Sequence, residues 1–152
     1  MKKTLGAVLA LALFAGPVAA ADKPDFSGDW KMNAAKSQFG SMPAPSTMTR
    51  KVTHAEPSLL IVEEQTGGMG SGNIRKYTTD GKETSFQSDG ADVATSAVWD
   101  GDAIVVASNV AIAGLHFVDR MTLSDGGKTL TSAVHISTPQ GDLDITIVFD
   151  RQ

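Results

Sequence analysis

The chain contains no cysteine. Without disulfides or thiolate ligands, its stability has to come from burial and hydrogen-bonded pairing, and cysteine-based zinc sites and thiol catalysis are excluded. Aromatic residues make up 6% of the sequence, so few large rings are present to fill an interior. There is no basic excess: 13 Lys and Arg face 17 Asp and Glu, a formal charge of −4 that argues against nucleic acid or an anionic membrane as the main partner. After Ala21 no apolar run approaches the ~20 residues that a membrane-spanning helix needs. Catalytic signatures are missing as well. No Gly-x-Ser-x-Gly or His-x-x-x-His occurs, the glycine run Gly67 to Gly72 lacks the Gly-Lys-Ser/Thr ending of a phosphate loop, and the carboxylates mostly mark turns. His54, His116 and His135 fall on separate segments. No catalytic residue, metal ligand or cofactor is assigned, and the expectation is a protein that is not an enzyme.

What is present begins with Lys2-Lys3, an apolar stretch from Leu5 to Ala15, Gly16-Pro17 and the small residues up to Ala21. That is the layout of a secretory signal peptide over 1–21, with Ala19-x-Ala21 as the cleavage site before Asp22. The mature chain is then one domain, 22–152, and removing Lys2 and Lys3 takes the formal charge from −4 to −6. Because no Cys follows the cleavage site, a lipid-anchored form is excluded. The leader has a bacterial look, and the expected location is periplasmic or secreted.

Turn signals then recur about every ten residues: Glu56-Pro57, Gly67 to Gly72, Asp80-Gly81, Asp89-Gly90, Asp100-Gly101, Ala113-Gly114, Asp125-Gly126-Gly127 and Pro139-Gln140-Gly141. The runs between them are rich in Val, Ile, Thr and Phe, and predict strands near 26–32, 46–55, 58–66, 73–79, 82–87, 92–99, 103–111, 115–123, 128–137 and 142–151. Short connections make sequence neighbours spatial neighbours. A ten-stranded meander keeps two long open edges unless its first and last strands pair, so the predicted fold is all-β: a closed antiparallel up-and-down β-barrel with at most one short helix. An immunoglobulin-like sandwich, which wants about seven strands, is the alternative. Asn33 to Ser46 breaks the rhythm, with one helical turn at Ala34 to Ser37 and an extended Pro43-Ala44-Pro45. It is long enough to cap a barrel end or simply to connect two strands.

The run Phe26-Ser27-Gly28-Asp29-Trp30-Lys31-Met32 resembles the first strand of the lipocalins and of the related fatty-acid-binding proteins, which share a Gly-x-Trp near the start of a closed barrel. The runs Lys36 to Gly40, Tyr77 to Glu83, Trp99 to Asp102 and Leu123 to Thr131 extend the resemblance, over nearly the whole mature chain, to small exported bacterial lipocalin-like proteins. The resemblance implies that Gly28, Trp30 and Arg151 form a structural motif, with the late arginine packed on the tryptophan. Closure predicts the same contact, since pairing of last strand with first brings Arg151 to Trp30. The fatty-acid-binding proteins typically carry an Arg-x-Tyr carboxylate clamp on the last strand. Here Thr146-Ile147-Val148-Phe149 stands in its place, so the resemblance does not extend to that clamp.

Alternation assigns the interior. Leu143, Ile145, Ile147 and Phe149 make one inward row; Leu130, Ser132, Val134 and Ile136 a second; Ile104, Val106, Ser108 and Val110 a third; Leu115, Phe117, Asp119, Met121 and Leu123 a fourth. These side chains are modest in size, so the lumen is expected to stay partly unfilled and to serve as a ligand site. Two charges fall inside apolar rows, Arg50 and Asp119. Arg50 is read either as an anchor for a ligand carboxylate or, the preferred reading, as the ion-pair partner of Asp119 or a rim residue. The ligand-binding candidates are Arg50, His54, Tyr77, Val106, Phe117, Asp119, Met121, Val134 and Ile147. The expected function is that of an exported binding protein, monomeric and not membrane-inserted, for a small hydrophobic or amphipathic ligand. The alternatives are a structural or interaction module of the cell envelope and a barrel that holds haem through one histidine.

Overall fold

The computed structural model describes residues 22–152 apart from 69 and 71, so the leader expected at 1–21 and two positions of the glycine run lie outside the described residues. Ten strands follow in order: β1 (Gly28–Met32), β2 (Pro45–Ala55), β3 (Ser58–Gly67), β4 (Gly72–Thr78), β5 (Thr84–Ser88), β6 (Ala91–Asp100), β7 (Ala103–Val110), β8 (Leu115–Ser124), β9 (Thr129–Thr138) and β10 (Gly141–Arg151). Their alternation is what the sequence demands. In β2, Met48, Arg50 and Val52 are buried while Thr47, Thr49 and Lys51 are exposed. Turn chemistry does the rest: Asp89 and Gly90 both adopt positive φ, 49° and 79°, which gives the β5–β6 hairpin the twist its strands require. The one helical element among the described residues is a 3-10 turn, Ala111–Ala113, between β7 and β8.

All ten strands belong to one antiparallel sheet in the order β4-β3-β2-β1-β10-β9-β8-β7-β6-β5, which rules out the two-sheet sandwich. The first strand pairs with the last, Trp30 opposite Arg151 and Met32 opposite Phe149. This pairing moves the sheet's edges to β4 and β5, so the barrel is nearly rather than fully closed. Asp80-Gly81, expected as one more hairpin turn, instead turns its backbone toward β6. Gly81 N–H donates to the Ala97 carbonyl at 2.9 Å and Asp80 bridges Val98, which leaves the β4–β5 seam held by the Thr84 hydroxyl on the Lys76 carbonyl at 3.2 Å.

One end of the barrel is a packed floor. Trp30, 1% exposed, donates its indole N–H to the Phe26 carbonyl at 3.1 Å and lies under the Arg151 guanidinium, 4.2 Å from the ring centroid. Arg151 is held in place by donating to the carbonyls of Ser27 and Gly127. A cation over an indole contributes roughly 0.5–2 kcal/mol. Gly28 makes this contact possible: its φ is +145°, and a Cβ there would sit 2.5 Å from Arg151 Nη1. Phe26, Val52, Leu59, Ala97, Ile104, Leu130 and Phe149 complete the floor.

The Asn33–Ser46 segment does not cap the opposite end. After a hydrogen-bonded turn, with Ser37 N–H on the Asn33 carbonyl at 3.1 Å, it runs along β10, where Gln38 exchanges backbone hydrogen bonds with Thr146 at 2.7 and 2.8 Å. The stretch therefore continues the wall where β1 stops, with Phe39 packed against the core. The mouth is left to the β3–β4, β5–β6, β7–β8 and β9–β10 connections.

Candidate site: a polar girdle across the barrel lumen

The strand registers stack the inward rows into rungs. Ile104, Met121, Ser132 and Ile147 lie opposite one another around β7 to β10; Val106, Asp119, Val134 and Ile145 form the next rung toward the mouth; Ser108, Phe117, Ile136 and Leu143 the one after. Across the lumen, Arg50 stands between Trp30 and Glu63, Ile61 faces Arg75, and Leu59 faces Tyr77.

Arg50 spans this interior. Its side chain is 3% exposed; Nε donates to Glu63 Oε2 at 2.6 Å, Nη1 donates to the Ser132 hydroxyl at 3.2 Å, and the guanidinium lies 4.5 Å from the Phe149 ring centroid. The same Glu63 oxygen accepts from Arg75 Nη2 at 2.9 Å. Ser132 passes the network on by donating to Asp119 Oδ1 at 2.5 Å. The preferred pairing of Arg50 with Asp119 is therefore corrected: the direct partner is Glu63, which faces Arg50 across the β2–β3 ladder, and Asp119 is reached only through a hydroxyl. Burial works against the Glu63 charge, but the two guanidinium groups outweigh it and hold the carboxyl at about 2. Burial pushes the Tyr77 phenol above its ordinary range, with Arg75 pulling the other way.

Arg75 is the least satisfied member. Burial opposes its charge, while Tyr77, Glu63 and Asp119 are near enough to hold its pKa above the ordinary arginine value. Among the described residues its Nε is buried without a hydrogen-bond partner, as is Asn73 Oδ1, two positions away on the same face of β4. Yet 17% of the Arg75 side chain remains accessible. Asp119, Phe117 and Val134 are likewise part-exposed although they point inward, whereas Val106, Met121, Ile147 and Tyr77 are buried. Below the girdle the interior is filled; above it, toward the mouth, Phe117, Asp119, Val134 and part of Arg75 stay accessible.

Of the nine sequence candidates, eight face this lumen. His54 does not join them: it lies at the floor, where Nδ1 accepts from the Phe26 N–H at 3.3 Å and Nε2 engages Glu56 at 2.7 Å. Glu56 also takes the Trp99 indole N–H at 3.0 Å and the Thr79 hydroxyl at 2.8 Å, so the imidazole is part of a floor-locking cluster. His116, bonded to Asn109, and His135, bonded to Asp144, alternate with the inward row and lie on the outer face. Glu63, Arg75 and Asn73 were missed as site residues. Their signal was available: each occupies an inward position of its expected strand. Two clefts, of about 310 and 330 Å³, are found on the outer wall, one along β2–β4 beside Thr53, Leu60 and Lys76, the other beside Thr49, Lys51 and Glu64. Both are bordered mainly by outward-pointing side chains.

No protein-family model matches the sequence, and no curated protein does. Solved structures do resemble the fold. A secretory abundant heat soluble protein from Ramazzottius varieornatus is 11% identical over 83% of this chain and 94% of its own, with a TM-score of 0.64. A zebrafish ileal bile acid-binding protein complexed with cholic acid is 12% identical over 84% and 98%, TM-score 0.61. A Schistosoma mansoni fatty acid binding protein in complex with arachidonic acid is 15% identical over 84% and 96%, also TM-score 0.61. At these identities the likeness establishes the architecture: this chain is a ten-stranded barrel similar to those of fatty-acid-binding and heat-soluble proteins.

Proposed function

We propose that the chain is an exported carrier, a binding protein rather than a catalyst, which holds a small hydrophobic or amphipathic molecule in the barrel lumen and admits it at the mouth. The observation that carries this reading is the girdle: four charged side chains set across the interior, of which Arg75 and Asp119 stay part-accessible beside the part-exposed Phe117 and Val134. An interior built only for stability is served as well or better by apolar packing of the same volume. A lumen with apolar walls and a few convergent polar groups is instead what a small-molecule site requires. The bile acid and fatty acid named with two of the similar structures support the same reading. Haem is disfavoured, because none of the three histidines faces the accessible half of the lumen.

The test is a fluorescence titration with Nile red, a neutral dye that brightens in apolar surroundings, on the native protein and on Val134→Phe. Binding that is lost in the filled barrel places the dye in the lumen. Binding that persists unchanged assigns it to an outer cleft, and no binding to either protein favours a structural module of the envelope. For export, intact mass of the protein from its own host should correspond to a start at Ala21 or Asp22. Retention of residues 1–20 would make the segment an anchor.

A further inference from the structure

The charges of the girdle do not cancel pairwise. Glu63 is countered twice, by Arg50 at 2.6 Å and by Arg75 at 2.9 Å, through the same oxygen. Asp119 has no cation in contact among the described residues, only the Ser132 hydroxyl. Three groups above Glu63 are therefore left short: Arg75 Nε–H and Asn73 Oδ1 are buried without a partner among the described residues, and Asp119 accepts only from Ser132.

A ligand carboxylate meets one of these demands. It accepts from Arg75 but has no hydrogen to give Asp119 or Asn73, and it brings a second carboxylate beside Asp119, the one anion of the girdle without a cation in contact. An uncharged head with one acceptor and two donors meets all three without that repulsion. A primary amide fits best, with a carbonyl for Arg75 and two N–H groups for Asp119 and Asn73; a hydroxyl, one donor and one acceptor, comes next. A cationic head would satisfy Asp119 but meet Arg75 with like charge. Resting on the carrier reading above, we infer that the lumen selects amphipathic molecules with a neutral donor–acceptor head, amides and alcohols, over the corresponding acids.

Displacement of Nile red by decanamide, decan-1-ol and decanoate, equal in chain length, tests this near neutral pH, where decanoate is ionised. Decanamide should displace the dye at a concentration about tenfold lower than decanoate, with decan-1-ol between them. In Asp119→Asn, which keeps the shape and removes the charge, decanoate should gain about tenfold and close that gap. Decanoate binding as well as or better than decanamide to the native protein overturns the inference even if the variant fails to fold. An unchanged gap in a folded Asp119→Asn also overturns it. Absence of dye uptake in the native protein, by contrast, defeats the carrier reading on which it rests, so the two failures are told apart.

Discussion

Replacing Glu63 by Gln should remove more stability than any other single change in the girdle. The carboxyl is held near 2 against an ordinary value of 4.5, a gap worth about 3 kcal/mol at ~1.4 kcal/mol per unit. Only 9% of its side chain is exposed, so solvent screens little of this. The amide of Gln keeps the shape but leaves two buried guanidinium groups without their shared anion, and breaking a buried pair in that way costs about 3–5 kcal/mol. Urea unfolding followed by tryptophan fluorescence at pH 7 measures the loss. The pH dependence supplies a second check with a fixed sign. A depressed carboxyl contributes its full stability above its unfolded value, near 4.5, and loses it as pH falls toward about 2. The native protein should therefore weaken through that window by a step that Glu63→Gln lacks, and the two should converge at its acid end. A loss below about 1 kcal/mol at pH 7, or a gap that stays constant down to pH 2, would refute the assignment of Glu63 as the shared counter-ion.

Trp30→Ala should cost about 3–5 kcal/mol in the same unfolding assay, because it empties the floor beneath Arg151; a cost under about 1 kcal/mol would mean that the ring plugs nothing. Arg50→Leu should lower stability and weaken acid and neutral ligands alike, since its contacts are with Glu63 and Ser132. Selective loss of acids in a protein of native stability would restore Arg50 as a ligand anchor. On the outer face, the hydrogen bond to Asp144 raises the His135 pKa above 6.5, so this pair stabilises the fold below that value and the contribution fades as pH rises through the raised one. An NMR titration of His135 in Asp144→Asn should shift the midpoint down; an unmoved midpoint would show that Asp144 does not hold the proton.

The fold was legible because a strand of period two, interrupted by Asp-Gly and Gly-Gly turns, leaves few alternatives, and closure followed from the hazard of open edges. That closure in turn placed Arg151 beside Trp30, where it is found. Incomplete closure at β4–β5 was not legible, because Asp80-Gly81 has the composition of a hairpin turn and only tertiary structure sends its backbone to Ala97 and Val98. The path of Asn33–Ser46 was hidden for a similar reason. Whether Gln38 meets Thr146 or hangs over the mouth depends on where β1 stops, which no local signal marks.

The interior charges teach a different lesson. Arg50 and Asp119 stood out because strong apolar rows flank them, and pairing the two charges noticed looked economical. But a buried guanidinium requires a carboxylate within side-chain reach, and the nearest inward positions belong to the adjacent strand. Once β2 and β3 are joined through the turn at Glu56-Pro57, antiparallel register sets Arg50 opposite Glu63, and the next ladder sets Arg75 opposite Ile61. Both positions continue inward rows that hold apolar or aromatic side chains, Leu59 and Ile61 in β3 and Tyr77, on the same face as Arg75, in β4. Carrying the search for a counter-ion one strand sideways before carrying it across the barrel finds Glu63 first. Asp119 is then left without a cation of its own, and that remaining charge sets what the lumen can accept.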